Sequence, residues 1–175
     1  RLTGVRATGV PSVSGVITVN NGGNLEIFGS DCTTMLVKSG GKASTYSDTE
    51  FTDAVTLESG STMEIVGGTF AKLAALSGST LIAQPTGSDT VTIAEAEIGD
   101  VKGAANATFY AGVTFGHLSV NGQRPIDCLA EGLGYWDNAR EEITDGRNQI
   151  LSNVTVVTHE HDCVWKTTTH EKLCG

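Results

Sequence analysis

Four segments of the chain repeat one pattern. They are "ITVNNGGNLEI" (17 to 27), "MLVKSGGKAST" (35 to 45), "VTLESGSTMEI" (55 to 65) and "LAALSGSTLIA" (73 to 83). Each opens with alternating apolar residues, turns at Asn or Ser followed by Gly, and closes on a second alternating run. The central glycines are Gly22, Gly40, Gly60 and Gly78, spaced by 18, 20 and 18 residues. A period in this range is the mark of stacked repeats, each unable to bury its own apolar face alone.

Within a unit the apolar residues fall on every second position: Ile17 and Val19, then Leu25 and Ile27; Val55 and Leu57, then Met63 and Ile65. Period two gives strands with one buried face. The Gly between them supplies a turn, because it accepts positive φ without steric cost. Two architectures fit: a row of β-hairpins, or a parallel solenoid with one repeat per coil. The near-constant period and the similarity of equivalent residues favour the solenoid. Val19, Val37, Leu57 and Ala75 are then expected to stack as one interior row, and Leu25, Ala43, Met63 and Leu81 as a second. A coil of 18 residues at roughly 3.3 Å each has a perimeter near 60 Å, enough to enclose a narrow column of side chains. Alternation continues more faintly through "TVTIAEAEI", "ATFYAGVTF" and "HLSVNG", so about six coils are expected between residues 12 and 122.

Composition agrees. Gly numbers 22, aromatics are 6% and charged residues 18%, which suits a turn-rich β fold. The formal net charge of −9 sets the surface against phosphate backbones and anionic membranes, so nucleic acid and membrane insertion are not expected as partners. No run of about 18 apolar residues occurs. The chain starts at Arg1 without a signal peptide and is expected to be a processed piece of something longer.

Near Pro125 the character changes. The later part carries both Trp residues and three of the four Cys, but only four of the 22 Gly. We therefore divide the chain into solenoid repeats (1–124), a C-terminal cap (125–157) and a His/Cys-rich tail (158–175). In the cap, Asp127 is expected to start a short helix running to Leu133, ended by Gly132 and Gly134. Tyr135 and Trp136 would cover the end of the core, "DNAREEITDG" would form a polar tip, and "ILSNVTVV" a closing strand.

The tail, "THEHDCVWKTTTHEKLCG", holds three of the four histidines. Tetrahedral zinc takes four nitrogen or sulfur ligands, and His161, Cys163, His170 and Cys174 form one such set, a possible structural zinc site with Trp165 packed over it. The same segment also reads as a Cys163–Cys174 disulfide, or as a polar extension that holds nothing. A Cys32–Cys128 disulfide is a further option. Elsewhere, Asp48, Glu50 and Asp53 could hold calcium or simply face solvent. Glu95, Glu97 and Asp100 line one side of a strand, and His117 stands alone. No nucleophile elbow, phosphate loop or dinucleotide fingerprint occurs, and the repeats contain seven Lys and Arg, none clustered.

The V-x-N/S-G-G/S core and its period resemble the Gly-rich passenger repeats of autotransporter-type bacterial adhesins, over about 110 residues. The Leu-Ala-Glu-Gly segment, aromatic pair and closing strand resemble the end of β-helical regions in Gram-positive surface proteins, and the tail resembles short His/Cys modules of such proteins. The resemblance implies an all-β, single-stranded, right-handed parallel β-helix, extracellular or on a bacterial cell surface. It implies a non-enzymatic adhesin or stalk that presents a binding face to a host protein or glycan. The alternative is a β-helical polysaccharide lyase or hydrolase using carboxylates such as Asp48 and Glu50, which would need paired carboxylates or a base with cations nearby.

Overall fold

The computed structural model describes residues 12–137 and 146–158 in full, and 163–166 and 171–174 as backbone. The repeats wind as a β-solenoid of parallel strands. Six long strands form one wall: β1 (Ser12–Val19), β3 (Asp31–Val37), β5 (Glu50–Leu57), β7 (Gly68–Ala75), β9 (Val91–Ile98) and β11 (Val113–Val120). Five short strands form the other: β2 (Asn24–Ile27), β4 (Lys42–Thr45), β6 (Thr62–Ile65), β8 (Thr80–Ala83) and β10 (Asn106–Phe109). All strand pairings between successive coils are parallel. The hairpin alternative is thereby excluded for the repeats. The stack has about five turns rather than six, because among the described residues the sixth long strand is followed by no short strand, only by a single parallel bridge of Leu129 to Phe109.

The interior rows follow from the alternation. Val19, Val37, Leu57 and Ala75 are registered partners, and Ile98 and Val120 extend the row. Leu25, Ala43, Met63 and Leu81 form the second row, extended by Ala107. A third row, Val13, Cys32, Phe51, Phe70, Ile93 and Phe115, carries the larger side chains. Phe51 and Phe70 stack with centroids 5.4 Å apart, and Phe109 meets Phe115 edge-on at 4.9 Å. Stacked rungs bring apolar side chains together along each row, large ones beside small ones such as Ala43 and Ala75.

The glycine turns also form a ladder. Gly22, Gly40, Gly60 and Gly78 have φ from 70° to 77°. The N–H of Gly22 donates to Gly40 O, that of Gly40 to Gly60 O and that of Gly60 to Gly78 O, at 2.9 to 3.0 Å. The Gly78 N–H reaches Ala104 O instead, because a longer turn there breaks the motif. That turn is why the sequence pattern fades after residue 84 while the coil itself continues.

The two ends differ. At the C-terminal end, β13 (Ile150–Thr158) pairs antiparallel with β11, and β12 (Leu133–Trp136) pairs antiparallel with β13. Residues 127–133 do not form the expected helix. A single 3-10 turn, Pro125–Cys128, takes its place, with Pro at its start and Arg124 before it. The Arg124 backbone N–H donates to the Asp127 carboxylate. Cys128 packs fully buried beneath the cap, and the Tyr135 ring is also buried, its hydroxyl donating to Pro125 O at 3.2 Å. Of the expected polar tip, 137–146, residues 138–145 lie outside the described residues. At the N-terminal end, Val13, Val16 and Phe28 of the first coil are 40%, 65% and 42% exposed. In the third row every other member is buried.

Candidate functional site

A notch opens on the solenoid corner where each short strand hands over to the next long one. Its cause is a difference in corner length. Residues 46–49 bridge β4 to β5, only 66–67 bridge β6 to β7, and 84–90 bridge β8 to β9. The short corner is recessed between two longer ones. Gly68 lines it, and the corner packs tightly on the preceding coil: a Cβ on Gly67 would lie 2.9 Å from Ser47 N, and one on Gly68 would lie 2.7 Å from Thr49 O. The cavity has a volume of about 490 Å³. Asp31, Asp48, Glu50 and Asp89 line it, with Ser47, Thr69, Ser88 and Thr90, and buried Thr49 borders it.

The walls are set by backbone bonds between coils. Glu50 N–H donates to Ser30 O at 2.9 Å, Thr69 N–H to Thr49 O at 2.9 Å, and Gly68 N–H to Thr90 O at 3.0 Å. Buried Thr49 donates its hydroxyl to Ile27 O. Asp48 takes a left-handed φ of 59°, a conformation Asp tolerates better than most residues, and its carboxylate is exposed. Among the described residues, no Lys, Arg or His lines this notch. Its chemistry is therefore that of hydrogen-bond acceptors beside hydroxyls that both donate and accept.

Beside the notch runs an outward column. Ile27, Thr45, Ile65, Ala83 and Phe109 point into the core, so the next residues, Phe28, Tyr46, Val66, Gln84 and Tyr110, point out. Backbone bonds hold them one per coil: Tyr46 N–H to Ile27 O, Val66 to Thr45, Gln84 to Ile65, Tyr110 to Ala83. Phe28 and Tyr46 stack with centroids 4.2 Å apart and planes 4° from parallel. Tyr46 is followed directly by the notch residues Ser47 and Asp48.

A second, shallower depression of about 260 Å³ lies on the long-strand wall, lined by Lys72, Glu95, Glu97, His117 and Ser119. Lys72, Glu95 and His117 are registered across β7, β9 and β11. Lys72 and Glu95 stand 3.9 Å apart and are well exposed, so their attraction is weak.

The structure brings Asp48 and Glu50 together in the notch. Asp53 instead sits on the open wall, accepting a bond from the Thr34 hydroxyl at 3.4 Å. Glu95 and Glu97 share the exposed face of β9, whereas Asp100 leaves the strand and binds Lys102 N–H within a turn. His117 is exposed, as a coil-surface residue. Among the described residues, no three His, Cys, Asp or Glu converge to hold a metal, and no helix is long and apolar enough to cross a membrane. His161 and His170 lie outside the described residues. Cys163 and Cys174 are described as backbone only. The sequence reading missed Asp31, Asp89, Phe28 and Tyr46. The aromatic pair was signalled by its spacing, one 18-residue period.

Cys32 and Cys128 are both buried and free. Phe51, Phe70, Ile93 and Phe115 follow Cys32 along its row toward the cap, a span of roughly 19 Å at 4.8 Å per strand. A disulfide needs Cα atoms within about 7 Å, so the Cys32–Cys128 option is excluded. Burial raises the Cys32 thiol pKa, with help from Asp31. Burial pushes Cys128 up to about 12 despite a bond from Gln123.

No family model matches the chain, and no curated protein or solved structure matches it.

Proposed function

We propose that the chain is a non-enzymatic β-solenoid of a bacterial cell-surface or secreted protein, an adhesin or stalk whose corner notch binds glycan. The observation that carries this reading is the pairing of an acceptor-rich notch with an adjacent aromatic stack. Sugar hydroxyls donate to carboxylates such as Asp48 and Glu50, while the apolar C–H faces of a pyranose pack on an aromatic ring such as Tyr46 or Phe28. Four carboxylates without a lining cation favour neutral or amino-bearing sugars over uronates and sulfates. The same absence supports a binding role over elimination chemistry at this notch.

The test is a glycan panel with Thr69→Trp, which fills the notch from an exposed position, and with the double change Asp48→Asn and Glu50→Gln. Binding that both variants abolish, with unfolding unchanged, supports the reading. Binding that neither alters, or binding only to host proteins through another face, refutes it. A lyase or hydrolase is the second reading, favoured by the registered Lys72, Glu95 and His117. Turnover of any polysaccharide that His117→Ala abolishes would replace the first reading with this one.

A further inference from the structure

We propose that Cys163 and Cys174 are joined by a disulfide that clips the open end of the tail hairpin. β14 (Cys163–Lys166) and β15 (Glu171–Cys174) pair antiparallel, and the register sets Cys163 directly opposite Cys174. They are the first residue of one strand and the last of the other. Opposed residues in an antiparallel pair have Cα atoms about 4.5 or 5.5 Å apart, depending on the bonding pattern. Both values fall inside the window of roughly 4.4 to 6.8 Å that a disulfide spans.

Two further observations point the same way. The chain has four cysteines, and Cys32 and Cys128 are buried singly, coils apart. The two tail cysteines therefore have only each other within one chain. In addition, β14 and β15 form a two-stranded sheet of their own, apart from the sheets of the solenoid. Among the described residues no third strand joins it; a lone two-stranded hairpin is marginal in water, and a covalent clip at its open end would stabilise it. Small units with little core are where disulfides are commonest, in oxidising compartments.

The chemistry balances with a low-molecular-weight disulfide as oxidant. One tail thiolate attacks the oxidant's sulfur and expels one thiolate. The second tail thiolate then attacks the mixed disulfide and expels the other. Two thiols of the protein are oxidised to one disulfide, the oxidant's disulfide is reduced to two thiols, and the two protons given up by the protein thiols end on the two expelled thiolates. The inference is independent of the glycan reading.

The test uses the full chain, folded in a glutathione redox buffer, then denatured with excess maleimide. Two adducts are expected, on Cys32 and Cys128. Nonreducing tryptic digestion should link the peptide spanning 148–166 to that spanning 173–175. The Cys163→Ser variant should gain a third adduct, on Cys174. The Cys32→Ser, Cys128→Ser double variant should show none, and because adducts are counted unfolded, poor folding does not mask the result. Four adducts on the parent chain overturn the inference. So does one zinc per chain with both tail thiols recovered by maleimide after chelation.

Discussion

Leu57→Ala tests the stacked-row core at a fully buried position. Leu57 is fully buried in the third coil, with Val37 registered on one side and Ala75 on the other. The substitution removes three carbons, worth about 2.4 kcal/mol at ~0.8 kcal/mol per buried CH₂. The neighbours cannot collapse into the space. Each is held in its own ladder, and Ala75 is too small to reach. A cavity contribution therefore adds to the transfer loss, and the expected total is about 3 to 4 kcal/mol. Thr56→Ala, one residue away on the outward face, should cost under ~1 kcal/mol. The assay is urea unfolding followed by far-UV circular dichroism on both variants. A smaller m-value for Leu57→Ala would mean the stack has split into two cooperative blocks, as a one-dimensional array permits. A loss under ~1 kcal/mol, or one equal to that of Thr56→Ala, would refute the row.

Other outcomes follow from the same geometry. Gly99→Ala should destabilise by more than ~2 kcal/mol, since φ is 77° and the new Cβ would collide with Asn121 O; Gly22→Ala, with open space around it, should lose only the ~1 kcal/mol of left-handed backbone strain, and thermal melts compare the two. Cys128 and Tyr135 both hold their protons more tightly folded than unfolded, so the unfolded chain ionises first. Stability should therefore fall as pH rises above 9, continuing toward 12, as read from urea midpoints across that range. In the folded chain at pH 8, Cys32 and Cys128 should resist thiol reagents that modify them at once in urea. Arg124 holds the Asp127 carboxyl below its ordinary range, so Arg124→Ala should raise that pKa by NMR titration; in the parent chain the pairing should give way as pH falls through the depressed value.

Much of the architecture was legible because solenoid physics writes directly into sequence. Gly22, Gly40, Gly60 and Gly78 mark the turns, and the alternation marks which residues enter each row. The coil count ran one too high because β11 looks like its predecessors in isolation. Only the chain after it, which enters the cap instead of a short strand, shows that the coil is left unfinished. The helix expected from Asp127 lost to tertiary demand. The chain must bring Leu129 alongside Phe109 at the end of β10, and the 3-10 turn Pro125–Cys128 leads directly into that bridge. The notch was not legible, because it arises from unequal corner lengths, which alter neither the period-two pattern nor the glycine series. Asp48 and Glu50 were noticed as acids, but Asp89 lies two coils away, and only the stacking brings it to the same notch.

The recessed corner at Gly67–Gly68 also makes the molecule a ruler. Every rung adds about 4.8 Å along the axis, so the distance from notch to cap is fixed by the number of rungs between them. Inserting one whole period between β9 and β11 would move the cap outward by one increment and leave the notch untouched. Inserting a single residue within a strand would not lengthen the ruler at all, because it would turn one rung's interior side chains outward. Reach in such a chain changes only by whole steps, and evolution or design can adjust it without redrawing the notch.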